Sequence, residues 1–227
     1  MCSSIVRAAA EVRRCPAAAS GIDDPGVAQP WRDMANDGTL PLAANGQLAG
    51  GEGTLEPVNR KRDVQVLAPD AQDDHRWLHE LWEMEWGGDT MVSRGHVYRL
   101  SVLKSLIAKV DGNRVGAATY RLDDDGGCEL VSINTTPTHQ GAGIGTTLLA
   151  AVEAEARAAD ARRVWLITSN DNLDALRFYQ RRGYRVVAVY PGAIDDARRI
   201  KPGIPLVGDH GIEVHDEMEL AKQLTGG

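Results

Sequence analysis

Ten of the eleven aromatic residues of this 227-residue chain lie beyond residue 76, and that asymmetry decides where a core can form. Residues 1–60 hold 11 Ala, 7 Gly and 5 Pro but a single aromatic, Trp31. No stretch there sustains the period of 2 or 3.6 that marks a strand or a helix. With so few large apolar groups the segment cannot offset the entropy of ordering itself. The expectation is a low-complexity, disordered extension over 1–61, one folded domain over 62–221, and a short tail at 222–227. A domain of ~150 residues removes roughly 70% of its unfolded surface, enough for a real core.

From Asp63 the pattern becomes regular. Asp63–Pro69 alternates and reads as a short strand. Asp73–Trp86 places Trp77, Leu78, Leu81, Trp82 and Glu85 on one helical face, and Gly87-Gly88 stops it. Val92–Leu100 reads as loop. Ser105–Val110 and Arg114–Leu122 flank Asp111-Gly112-Asn113 as a hairpin. Cys128–Thr135 is a strand closed by Pro137, and a long helix follows from about Gly143 to Ala159. Arg162–Ser169 is a strand, Leu173–Gly183 a helix, and Tyr184–Tyr190 a strand. Residues 191–211 read as a long loop with a helical turn at Asp195–Arg199, and Glu213–Leu220 as the last strand. This β-α-β-β-β-α-β-α-β-β order predicts an α/β (α+β) domain in which helices cover a mixed sheet.

Several function classes are disfavoured. The formal net charge is −7, which opposes a broad nucleic-acid footprint. No run of ~18 apolar residues offers a membrane span. Three cysteines, Cys2, Cys15 and Cys128, make neither a disulfide framework nor a C-x-x-C metal pair, so no metal is expected and a cytoplasmic setting is. Residues 1–20 are Arg-rich and acid-poor, like an organelle transit peptide, but a plain extension is the simpler reading. His75 and His79 are i,i+4 without the Glu of H-E-x-x-H and read as surface residues. Trp77, Trp82 and Trp86 read as core.

Chemistry concentrates in Thr136–Tyr184. Gln140-Gly141-Ala142-Gly143-Ile144-Gly145 joins a strand to a helix. Glycines there admit close approach of backbone N–H groups, and the helix N-terminus adds free donors and partial positive charge. The product is an anion pocket suited to phosphate, although a tight turn that binds nothing has the same residues. No Lys makes it a P-loop, and Thr146 stands where a dinucleotide fingerprint requires Gly.

Gln140-x-x-Gly143-x-Gly145 resembles the Q/R-x-x-G-x-G/A signature of the GNAT superfamily of N-acetyltransferases. Asn172-x-x-Ala175-x-x-Phe178-Tyr179, followed by Gly183-Tyr184, is similar to its second signature, N-x-x-A-x-x-F/L-Y-x-x-x-G-F/Y. The resemblance covers about residues 62–220 and extends to the tail Lys201–Leu220, which is similar to uncharacterised members. It implies a mostly antiparallel, twisted mixed sheet with helices on both faces, splayed between Cys128–Thr135 and Arg162–Ser169 at an acyl-CoA site. It also implies acetyl-CoA as acyl donor, with Gln140, Gly141, Ala142, Gly143, Ile144 and Gly145 holding the pyrophosphate. The backbone of Ile133 and Thr135 would meet the pantetheine, an N–H near Asn134 would polarise the thioester carbonyl, and Asn172 would hydrogen-bond the pantetheine. Tyr179 would protonate the leaving thiolate. Thr135 and Thr136 depart from the apolar and the basic or polar residue expected before the proline.

Asn172 and Tyr179 are seven apart and share a helix face, which suits those two roles. Asn172 or Asn170 also suits a helix N-cap, and Tyr179 also suits a core aromatic. Glu129 alternates with Val131 and Ile133 on one apolar strand face, where burial would raise its pKa and make it a general base. A solvated strand-end Glu is the alternative. Cys128 reads as inert, and Arg198, Arg199 and Lys201 as either phosphate contacts or a solvated face. The expected function is acetyl transfer to a small-molecule or peptide amine by direct attack in a ternary complex. A non-catalytic acyl-CoA-binding module on the same fold is the alternative, and a homodimer is compatible with either.

Overall fold

The computed structural model describes residues 63–224; the expectation for 1–61 lies outside the described residues, and of the tail expected at 222–227 only 222–224 are described, where the last strand runs on to Gln223. The elements run β1 (Val64–Leu67), α1 (Gln72–Trp86), β2 (Thr90–Ser93), β3 (His96–Arg99), β4 (Lys104–Val110), β5 (Asn113–Leu122) and β6 (Gly127–Thr135). They continue with α2 (Ile144–Ala158), β7 (Arg163–Ser169), α3 (Leu173–Gln180), β8 (Arg185–Tyr190), α4 (Ala193–Ile200) and β9 (Glu217–Gln223). Seven strands form one sheet in the order β1-β4-β5-β6-β7-β9-β8, and β2 and β3 form a separate hairpin. Every neighbouring pair in the large sheet is antiparallel except β6 and β7.

Helices cover both faces, as the amphipathic patterns require. Leu148, Leu149 and Val152 of α2, with Ala175 and Tyr179 of α3, pack on Ala118, Leu130, Ile133 and Leu166. Leu78 and Leu81 of α1 pack on Ile107 and Ala117 from the other side. Asp74, buried in the first turn of α1, accepts hydrogen bonds from Lys109 Nζ (3.0 Å) and Arg114 Nε (2.6 Å), which bolt the helix to β4 and β5. These two cations hold its carboxyl down at about 2.

Three elements differ from the sequence expectation. Val92–Leu100 is not loop but the greater part of the β2–β3 hairpin. Its turn residues Arg94 and Gly95 have φ of 48° and 72°, the paired left-handed geometry of a two-residue hairpin. Arg lacks the turn preference of Asn or Asp; here the Arg94 N–H is held by the Glu217 carboxylate (2.9 Å), a contact 123 residues distant. The helical turn foreseen at Asp195–Arg199 is a full helix, α4, whose Ile194 and Ala197 are buried with Ile204 and Val214. The last strand begins at Glu217 rather than Glu213, because Asn170 Oδ1 takes the N–H groups of His215 and Asp216 (both 3.1 Å) out of the ladder.

Two irregularities in β6 set up the site. Its pairing with β7 is confined to Gly127↔Arg163, Cys128↔Val164 and Glu129↔Trp165, and beyond that point the two strands part. On its other edge a bulge leaves Val131 as an extra residue between Tyr120↔Leu130 and Thr119↔Ser132. A bulge re-aims the side chains that follow it. Cys128, Leu130 and Ile133 therefore face α2, whereas Val131 packs with Trp82 and Tyr98 on the α1 side. Glu129 and Val131 share a face as expected from alternation, but Ile133 lies on the opposite one.

Candidate active site

The Gly-rich turn opens a cleft of about 650 Å³, within the range of small-molecule sites. Ile133, Thr135, Gly141, Gly143, Ile144 and Gly145 line it. Gly143 caps α2 with φ of 85°, and a Cβ there would meet nothing within 4 Å, so the residue is required by backbone conformation rather than by space. The first bond of the α2 ladder runs from Thr147 N–H to Gly143 O (3.0 Å). The N–H groups of Ile144, Gly145 and Thr146 precede that ladder and form the helix's positive end. Gln140 and Ala142 spend their N–H groups inside the turn, on Pro137 O (3.4 Å) and His139 O (3.3 Å).

Sequence reasoning missed the charge that completes this cleft. Arg177, Arg181 and Arg182 of the α3 region line its far wall. Arg182 stacks on Phe178 at 3.7 Å and donates to Thr146 Oγ1, tying α3 to the first turn of α2. The basic residues singled out from sequence lie elsewhere. Arg198 donates to the carbonyls of Ile204 (3.2 Å) and Pro205 (2.6 Å), Arg199 pairs with Asp196, and Lys201 donates to the carbonyls of Trp86 and Thr90.

Where β6 and β7 part, a second cavity of about 50 Å³ lies between them, lined by Ile133, Val131, Thr168, Asn172, Tyr179 and Trp86 among others. Asn172 and Tyr179, paired in the sequence by helical spacing, thus meet one cavity. Asn172 also caps α3, its Oδ1 accepting from Ala175 N–H (3.0 Å), so the cap reading holds beside any ligand role. Tyr179 is 4% exposed and stands edge-on to Phe178 (5.0 Å) and Tyr184 (5.6 Å).

Beyond Val131 lies a third cavity, also about 50 Å³, walled by Met91, Val92, Ile194, Ala197 and Ile204, with Glu129 and Glu217 in its lining. Trp86 belongs to both of the small cavities, whereas Trp82 is core. Glu129, 2% exposed, accepts from Arg121 Nε (2.6 Å) and Tyr98 Oη (3.2 Å). Burial raises its pKa more than the Arg121 ion pair lowers it. Glu217, 4% exposed, is also raised by burial; it came from a strand whose sequence shows only alternation, and only the tertiary fold brings it here. Asn134 is buried and donates from Nδ2 to Glu85 (3.3 Å) on the α1 side. The Cys128 thiol is fully buried and pushed up to about 12, which makes it inert. Among the described residues no His, Cys, Asp and Glu cluster could hold a metal ion, and no helix is long and apolar enough to cross a membrane.

Cleft, parted strands and inner cavity lie in series, sharing Ile133 at one junction and Val131 and Thr168 at the next. The three spaces thus follow one another from the glycine-lined cleft, past the parted strands, to the α1 side of the sheet. The chain belongs to the GNAT acetyltransferase family: the family model described as Acetyltransferase (GNAT) family matches residues 70–184. It is 36% identical over 160 residues to the uncharacterized protein YdhI of Bacillus subtilis (strain 168), across 70% of this chain and 98% of that one. The fold is similar to a GNAT family acetyltransferase from Elizabethkingia anophelis with acetyl-CoA bound (TM-score 0.55, 19% identity, 71% of this chain and 98% of that one). A Bacillus subtilis acetyltransferase in complex with CoA is similar to the same degree (TM-score 0.55, 15% identity, 71% and 99%).

Proposed function

We propose that the chain transfers acetyl from acetyl-CoA to an amine by direct attack within a ternary complex. The observation that carries this reading is the continuity of the three spaces. The N–H groups of Gly141, Gly143, Ile144 and Gly145 hold the pyrophosphate, with Gln140 and Ala142 shaping the turn and Arg177 and Arg181 adding charge. Beyond Glu129 the β6 edge facing β7 is unpaired, so its backbone near Ile133 and Thr135 receives the pantetheine amides. Asn172 adds a side-chain contact from the opposite wall. Acetyl-CoA supplies an activated thioester; the residues supply position, charge and protons.

The bulged strand directs a backbone N–H near Asn134 toward the carbonyl as it gains negative charge, an oxyanion-type donor. Glu129, paired with Arg121 at the inner cavity, accepts the proton of the incoming amine. Tyr179 gives its proton to the departing sulfur. The donor and the free buried thiol at Cys128 suit a cytoplasmic protein. The test is thiol release from acetyl-CoA by the full chain against a panel of amines. Amine-dependent release that falls in Tyr179→Phe supports the reading. Binding of acetyl-CoA with no release for any amine contradicts it and favours a sensing module.

A further inference from the structure

The inner cavity holds two buried carboxylates, and among the described residues only one of them has a side-chain ion pair. Glu129 has the Arg121 guanidinium at 2.6 Å. Glu217 accepts from the Arg94 backbone N–H (2.9 Å) and, among the described residues, forms no ion pair with a Lys, Arg or His side chain. The Arg94 guanidinium is turned away: it pairs with Glu219 (3.3 Å) and lies over the Tyr190 ring at 4.6 Å. Lys201, the one cation among the described lining residues, is committed to the carbonyls of Trp86 and Thr90.

A carboxylate 4% exposed, with no side-chain ion pair among the described residues and the Arg94 guanidinium acting on it only from beside Glu219, is costly to ionise unless a cation arrives. The surrounding wall is apolar and the space small, about 50 Å³. Among the described lining residues the hydroxyls are those of Ser93 and Thr168, and beside the two carboxylates the wall is chiefly apolar.

We propose that Glu217 is the acceptor's cation-binding residue, and that the acceptor class is a compact aliphatic amine, cationic in solution, with an apolar body. The ammonium seats against Glu217, and the alkyl part lies against Met91, Val92, Ile194 and Ile204. This deepens the acetyl-transfer reading and rests on it, since it assigns the second substrate of the same site. It also gives the β2–β3 hairpin a role. The Arg94 N–H that fixes the Glu217 carboxylate is at the hairpin tip, so the hairpin presents the anion to the cavity.

The test uses n-butylammonium as probe, with n-butanol and butyrate as shape-matched neutral and anionic controls, on the full chain with and without CoA. At about ten times its Kd, n-butylammonium raises the melting temperature of the wild type by roughly 3–6 °C. The proposal expects that rise, its absence with n-butanol and butyrate at equal concentration, and its loss in Glu217→Gln. Equal effects of the three probes, or no effect of n-butylammonium up to 100 mM, overturn the proposal on wild-type protein alone, so a misfolded variant does not rescue it. Loss of the rise in Glu129→Gln with retention in Glu217→Gln also overturns it, by moving the ammonium to the other carboxylate. Failure of the acetyl-transfer reading is separately visible, as the absence of any rise with CoA itself.

Discussion

Replacing Gly116 with Ala tests whether the cofactor end of α2 is fixed by close contact with the sheet. Gly116 of β5 is paired with Thr135 of β6, directly beneath the start of α2. A Cβ at this position would stand 2.7 Å from the Asn134 carbonyl oxygen, 3.1 Å from Ile144 Cγ2 and 3.2 Å from Leu148 Cδ1. The carbonyl is backbone in the neighbouring strand and cannot rotate away. Ile144 and Leu148 belong to the first two turns of the helix, so relief requires β5 and β6 to separate or α2 to lift. Overpacking of this kind costs ~1–3 kcal/mol. At ~2–4 °C per kcal/mol for a domain of this size, the melting temperature falls by roughly 2–12 °C. Because Ile144 is the first residue of α2, lifting the helix also misdirects its leading N–H groups. Losing one hydrogen bond to a charged group, ~1.5–3 kcal/mol, weakens acetyl-CoA binding by about ten- to a hundredfold. Scanning fluorimetry and titration calorimetry on the same sample measure both. A variant that melts within about 1 °C of wild type and binds acetyl-CoA equally well would refute the reasoning.

Tyr179→Phe lowers kcat by roughly 10²–10⁴ while leaving acetyl-CoA affinity near wild type, because only the proton is removed; an unchanged kcat would exclude the acid role. Arg121→Gln removes the cation that holds the Glu129 pKa down, leaving burial to raise it further. If Glu129 must be ionised to take a proton, the acid limb of the kcat/KM profile moves to higher pH, and a limb that stays in place assigns the proton elsewhere. Asp74, held at about 2 by Lys109 and Arg114, contributes stability that is present above the unfolded carboxylate pKa and lost as pH falls through 2. Asp74→Asn is therefore less stable at neutral pH, and the gap in denaturant midpoint closes as pH drops from about 4 toward 2.

What could be read from the sequence is what is encoded locally. The glycines at 141, 143 and 145 and the Asn172/Tyr179 spacing state a turn and a helix face without reference to distant residues. The first signature coincides with a cleft in the structure because one short segment, residues 141–145, supplies much of its lining. The inner cavity was not legible in that way. Glu129 was visible, but the bulge at Val131 that separates it from Ile133 has no local mark, since Leu130-Val131-Ser132-Ile133 reads as ordinary strand. The β2–β3 turn is Arg-Gly and is stabilised by Glu217, so neither partner signals the contact alone. The same holds for the arginines on α3 and just beyond it: Arg177, Arg181 and Arg182 look like solvated surface until α2 is placed beside them.

The most direct test of the central assignment is thermal melting of the full chain with and without acetyl-CoA, alongside Gly143→Glu. A ligand at ~100 times its Kd adds ~2.7 kcal/mol, which here corresponds to a rise of roughly 5–10 °C. The account predicts that rise in the wild type and its loss in Gly143→Glu, where a carboxylate enters the open space beside the α2 N-terminus. No rise at millimolar acetyl-CoA, or an equal rise in the variant, would contradict the assignment of the Gly-rich turn as the pyrophosphate site.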